Sequence, residues 1–217
     1  MELRTLAFVG LLTTGIAGPV LAASVAADGL VAVSSSQLDE LYLAPGANLS
    51  GYRKVMIDPA PVAFHPYWLK HSYNRDIEVI APVREDEINR IVNDAATSAY
   101  NSLVEAFRAR GYEIVTAPGP GVLRLSPAVS DLYVNAPTRS TPYRTKSFTR
   151  EPGDAMFRLE ARDSVSGAVL VRVAHHGRAT QISRLARADD VSNLFWLDTV
   201  LRRWAVNCAN EFQAARQ

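Results

Sequence analysis

The sequence predicts an α+β fold, a two-layer sandwich in which a mostly antiparallel sheet of four to five strands carries two amphipathic helices on one face. Three observations predict it. Between Ile88 and Phe107 the residues Ile88, Ile91, Val92, Ala95, Ala99, Leu103, Ala106 and Phe107 recur at three- and four-residue steps, the spacing that lines one face of an α-helix. From Ala155 the pattern becomes strict alternation: Ala155, Phe157, Leu159 and Ala161 face one way and Met156, Arg158, Glu160 and Arg162 the other, as in a half-exposed strand. A second helical stripe, Leu194, Leu197, Leu201, Trp204, Cys208 and Phe212, closes the chain. An apolar helix face must bury against another element, and one sheet serves both helices.

Taken in order, Asp28 to Val33 predicts a short strand, and Ser36 with Asp39 three residues on predicts a single capped helical turn. Pro45, Gly46 and Asn48 form a loop. Arg53 to Ile57 is the first firm strand, ended by Asp58-Pro59 and resumed at Val62 to Phe64. The first helix has Glu85, Asp86 and Glu87 in its opening turn and Arg108 and Arg110 at its close, so charge complements the helix dipole. Gly111 tolerates the left-handed stop, and Tyr112 to Val115 forms a short strand. Pro118-Gly119-Pro120-Gly121 turns the chain into a long strand from Val122 to Val134, with a kink or edge position at Pro127. Asn135 to Gly153 is a surface loop, with Arg139, Arg144, Lys146 and Arg150 set against Glu151. Asp163 to Gly167 has hairpin turn chemistry, and Val169, Val171 and Val173 continue the buried face up to His175-His176-Gly177. The last helix runs from about Asp190 to Ala214, with Asp189, Asp190 and Ser192 available as caps.

Of the 217 residues, 48% are hydrophobic and 21% charged, which excludes disordered and collagen-like classes and leaves room for a real core. Lysine and arginine number 23 against 22 acidic residues, so overall charge predicts no nucleic-acid partner. Arg4, the apolar run from Leu6 to Leu12, Pro19 and the small residues around Ala22 have the order of a secretory signal peptide over residues 1–22, followed by one domain over 23–217. The apolar run is shorter than the roughly 20 residues that span a bilayer, so no transmembrane span is expected after processing. The expected location is across the inner membrane, in the periplasm or against the outer envelope. Cys208 is the only cysteine, so neither a disulfide nor lipid anchoring through a cysteine after the signal is expected.

Tyr52-Arg53-Lys54-Val55-Met56-Ile57-Asp58-Pro59, Trp68-Leu69-Lys70, Ala117 to Leu125, Ser130-Asp131-Leu132, and Asp163-Ser164 followed by Gly167 resemble, in order and spacing, the domain of unknown function 3313 family. The resemblance implies an exported Gram-negative envelope protein, in a family with many lipoproteins, and brings no activity, cofactor or catalytic residue. The chain departs from that pattern by lacking the anchoring cysteine, and His175 or His176 stands where an acidic residue is expected.

The densest aromatic and histidine stretch is Phe64 to Tyr73. His65 and His71, with Tyr73 and Asp76, are the residue types of a metal site or a general base, but their spacing matches neither a helical i, i+4 pair nor a short zinc pattern. A packed aromatic loop is the expected reading. Tyr67 and Trp68, beside His65, fit a binding surface, because aromatics concentrate at interface hot spots; the alternative is that Trp68 covers the helix layer. Arg139, Arg144, Lys146 and Arg150 would contact an anionic partner. His175 and His176 are adjacent on a strand and point to opposite faces. Asp58 and Asp131 are read as turn caps rather than a carboxylate pair, and Cys208 as core. No Gly-X-Ser-X-Gly motif is present, and Gly119-Pro120-Gly121 is a turn rather than a phosphate loop. The expectation is a non-enzymatic exported accessory or binding module with a protein or envelope-polymer partner and no cofactor or metal. One alternative is a self-assembling subunit of a larger envelope assembly, and the other is a hydrolase or metal-dependent enzyme using His65 and His71.

Overall fold

Two long helices lie against one face of a twisted, mixed sheet. The computed structural model describes residues 29–68, 85–134, 148–149, 153–178, 186–187 and 190–216. The expected signal peptide, the stretch holding His71, Tyr73 and Asp76, and Arg139, Arg144, Lys146 and Arg150 lie outside the described residues.

The strands are β1 (Val31–Ala32), β2 (Glu40–Leu43), β3 (Lys54–Ile57), β4 (Val62–Phe64), β5 (Glu113–Ile114), β6 (Val122–Val134), β7 (Phe148–Thr149), β8 (Gly153–Asp163), β9 (Val169–Arg178) and β10 (Ala186–Arg187). The long helices among the described residues are α1 (Glu85–Arg108) and α2 (Asp190–Ala214). The main sheet runs β1-β2-β9-β8-β6-β3-β5, with β4 also on β6, while β7 and β10 form a separate ribbon. This corrects the expected four to five mostly antiparallel strands: the sheet has 8 strands and is mixed. One half is antiparallel, through β1, β2, β9, β8 and β6. In the other half β3 lies parallel to both β5 and β6, and β4 is parallel to β6. The cause is α1, a helix placed between β3–β4 and β5–β6, which carries the chain back to start the next strand in the same direction. The expected helical turn at Ser36 is replaced by a bend and by β2, because Ser35 Oγ accepts from the Gln37 and Leu38 amides and turns the chain directly into the sheet.

β6 positions much of the molecule. Leu123, Leu125 and Val129 are buried, and then the parity flips to Leu132 and Val134. The flip is a β-bulge between Ser130 and Tyr133, where Asp131 takes φ +55°. Pro127 holds the expected edge position. β3 leaves β6 at Leu125 and β4 joins at Val129, so the side on which Pro127 lacks an N–H faces the gap between them.

The helices form the second layer. Ala95, Ala99, Leu103, Ala106 and Phe107 of α1 and Leu197, Leu201, Trp204, Ala205, Cys208, Ala209 and Phe212 of α2 join the sheet residues in one core. Ser98 Oγ donates to Asp198 at 2.8 Å and Arg110 Nε to Asn210 at 2.8 Å, tying the helices to each other. Arg110 Nη1 also donates to the Ala106 carbonyl, satisfying an end of α1 before Gly111 (φ +80°) stops it.

Candidate binding surface

Both long helices lie on one side, and among the described residues no helix covers the other face of the central strands. Alternation sends Arg124 and Ser126 of β6, Arg158, Glu160 and Arg162 of β8, and Arg172 of β9 to this face. Glu160 bridges Arg162 and Arg172, the latter at 2.9 Å. Asp58 accepts from Arg124 Nε at 2.9 Å and Ser126 Oγ at 2.7 Å. Arg158 donates to Ser130 Oγ, and no acidic partner meets it among the described residues. These pairs are solvent-exposed, with Arg124 at 51% and Arg162 at 40% side-chain exposure, so water screens them and the guanidinium groups stay accessible. The face is hydrogen-bonded and predominantly basic.

The aromatic patch divides. Trp68 is 4% exposed, stacks on Phe64 with ring centroids 4.3 Å apart and donates from Nε1 to the Val134 carbonyl. It packs over the end of β6. Tyr67 is 55% exposed and faces solvent. His65 is partly buried, its Nδ1 accepts from the Tyr67 amide at 3.2 Å, and its own amide donates to the Leu132 carbonyl. Its described bonds are one local turn bond and one backbone bond across to β6.

Other candidates resolve into architecture. Asp58 is occupied by Arg124 and Ser126, whereas Asp131 sits five residues beyond Ser126, roughly 16 Å along the strand, and accepts from Ser130. They form no carboxylate pair. Cys208 is fully buried, and burial, with Glu211 adding to it, pushes its thiol far above the ordinary range, so no thiolate is available for attack. Among the described residues no group of three or more His, Cys, Asp or Glu converges to hold a metal ion.

Two residues that the sequence reading set aside do come together. Asp39, expected as a cap for a helical turn, lies beside the end of β9. Its Oδ2 accepts from the His176 amide at 2.7 Å and stands 3.2 Å from His175 Nδ1, near enough for a charge pair but out of hydrogen-bond alignment. His176 turns to the opposite face, 3.4 Å from Asp154. Adjacent histidines on a strand were the available signal; the distant aspartate was not.

The residues behind the family resemblance also meet. Tyr52 donates to Asp163 Oδ2 at 2.9 Å, Ser164 Oγ accepts from the Gly119 amide, and Gly121, at φ +69°, receives the Arg53 and Lys54 amides on its carbonyl. A Cβ at Gly121 would stand 3.1 Å from the Gly51 carbonyl oxygen. The motifs thus fasten one corner of the sheet.

Fold and surface define an α+β sandwich with helices on one side and a charged sheet face on the other. The chain belongs to the family described as protein of unknown function (DUF3313), whose model matches residues 22–208. No curated protein matches it. Among solved structures it is similar to the PelC dodecamer from Paraburkholderia phytofirmans, at 18% identity over 75% of this chain and 95% of that one, with a TM-score of 0.37. A Xanthomonas campestris protein of family DUF330 is similar at 10% identity over 78% and 89% of the two chains, with a TM-score of 0.45. A putative neuraminyllactose-binding hemagglutinin homolog from Helicobacter pylori is similar at 10% identity over 76% and 84%, with a TM-score of 0.38.

Proposed function

We propose that this protein is a non-enzymatic exported module of the cell envelope that holds an anionic protein or polymer against its open sheet face. The observation that supports it is Arg158 on that face, hydrogen-bonded only to Ser130 among the described residues, with Arg172, Arg162 and Arg124 further along the same face and paired to Glu160 and Asp58. Guanidinium groups on a rigid sheet are pre-oriented forks for carboxylate or phosphate oxygens. Export rests on the leader-like residues 1–22, with residues 23–217 as the working domain; sequencing the N-terminus of protein recovered from the periplasm should start near Ser24. Tyr67, exposed next to Trp68, is a second candidate contact.

The test is photo-crosslinking in cells from positions 158 and 67, followed by mass spectrometry. One discrete adduct is expected from position 158, lost when Arg124 and Arg162 are both changed to Glu. No adduct at either position, or one indifferent to charge reversal, would remove the sheet face as a binding surface.

A further inference from the structure

We propose that a second site, a cleft at the end of β9, binds a phosphoryl group. β2 pairs with β9 only as far as Glu40 opposite Ala174, while β9 continues through His175, His176, Gly177 and Arg178 with its outer edge free of β2. That edge, Asp39 and the α2 residues Val200 and Arg203 enclose a cleft of about 380 Å³.

Its walls are held in place from beneath. A Cβ on Gly177 would come within 2.2 Å of the Phe157 ring and 2.6 Å of Val200 Cγ1, so the β9 backbone lies directly on the core and on α2. The wall formed by β9 and α2 therefore does not depend on a loop for its shape. Its charge is unbalanced toward cations. Arg178 and Arg203 are both exposed, and neither has an acidic partner among the described residues. The acid in the wall, Asp39, is engaged by the His176 amide and faces His175 Nδ1, and Asp154 is turned to His176 on the other face. Alternation along β9 places the Arg178 amide on the same outer edge as the His176 amide, where no strand among the described residues pairs with it.

The guanidinium forks of Arg178 and Arg203, which both line the cleft, and the edge amide supply more donors than the two oxygens of a planar carboxylate accept. The tetrahedral oxygens of a phosphoryl group take them from several directions. A cleft of this volume also has space for the group that carries the phosphate. Free phosphate and a phosphate monoester share that chemistry.

The test uses the full chain, with NMR of the histidine ring resonances during titration at constant ionic strength with sodium phosphate, glycerol 3-phosphate or sodium chloride. Saturable shifts at His175 and His176 are expected with phosphate and none with chloride. Arg178→Ala and Arg203→Ala should each weaken binding about tenfold, as expected for loss of one charge-assisted contact, and the double variant should abolish it. Arg108→Ala, at the far end of α1, should leave it unchanged. Glycerol 3-phosphate binding at least tenfold tighter than phosphate would assign the site to an esterified headgroup, and equal or weaker binding to the free ion. No saturable response to either phosphate compound, or a double variant with wild-type melting temperature that binds as the parent does, would overturn the proposal.

Discussion

Asp163 shows how a single side chain can look like a signature and act as a fastening. Its Oδ1 accepts from the Ser166 amide at 2.7 Å and from the Val165 amide and Ser166 hydroxyl, closing the β8–β9 turn on itself. Its Oδ2 accepts from Tyr52 at the start of β3, which is distant in sequence. The bonds from Ser166, then from Tyr52, hold the Asp163 carboxyl below its ordinary value. A lowered folded-state value means that the stabilisation is present above about pH 4, the unfolded value, and is lost as pH falls through the folded one. Asp163→Asn should therefore flatten the acid side of the stability curve, measured by urea unfolding between pH 2 and 5. Tyr52 behaves oppositely. Its phenol is raised by desolvation first and by Asp163 second, so its contribution holds below about pH 10 and is lost above it. Tyr52→Phe should cost about 1 kcal/mol at neutral pH, the worth of one part-exposed hydrogen bond to a charged acceptor, and no loss at all would mean that the bond does not persist in solution. The spacing of Tyr52, Gly121 and Asp163 was visible in the sequence, but their meeting depends on β3 lying parallel to β6, and no local pattern encodes that.

At the scale of elements, legibility followed length. α1, α2, β6 and the β8–β9 hairpin are long enough for period 3.6 or period 2 to repeat, and they stand where the pattern places them. β1, β4 and β5 stand near the short strands expected there, but two or three residues carry no period that says which sheet they join, and β2 lies where a helical turn was expected, so the expected sheet is smaller than the observed one. The β6 bulge is a further limit. Ser130-Asp131-Leu132 reads as an interruption in the strand, yet it returns the core-facing parity to Leu132 and Val134. Gly177 offers the sharpest test of how β9 meets α2. Its close approach to Phe157 and Val200 is a matter of space and not of backbone angle, so Gly177→Ala should destabilise the fold by about 1–3 kcal/mol, the range for overpacking a filled core. Val200→Ala should recover part of that loss in the double variant, giving a favourable coupling in a double-mutant cycle read by denaturant unfolding. Strict additivity would show that the two elements are not in contact there.

Across the whole molecule, the question is whether the helix layer can lift from the sheet without unfolding it. Cys208 reports on this because it sits on the inner face of α2 with no exposed surface and with Trp204 and Phe212 one turn either side. Reaching its sulfur requires α2 to leave both its neighbours. α2 is joined to α1 through Ser98–Asp198 and Arg110–Asn210, and to the sheet through the packing of Trp204 on Phe157, whose ring centroids are 5.4 Å apart. Those contacts lie along most of the helix, so local opening would forfeit nearly the same burial as global unfolding. A thiol reagent in native buffer should therefore modify Cys208 at a rate set by the global stability, about tenfold faster for every 1.4 kcal/mol of destabilisation. Gly177→Ala should accelerate labelling in proportion to its loss of stability, whereas Arg158→Ala, on the opposite face, should not change it. Rapid stoichiometric labelling in native buffer, with circular dichroism unchanged, would show instead that α2 separates as its own unit. The open sheet face would then not be the only face of this protein available to a partner.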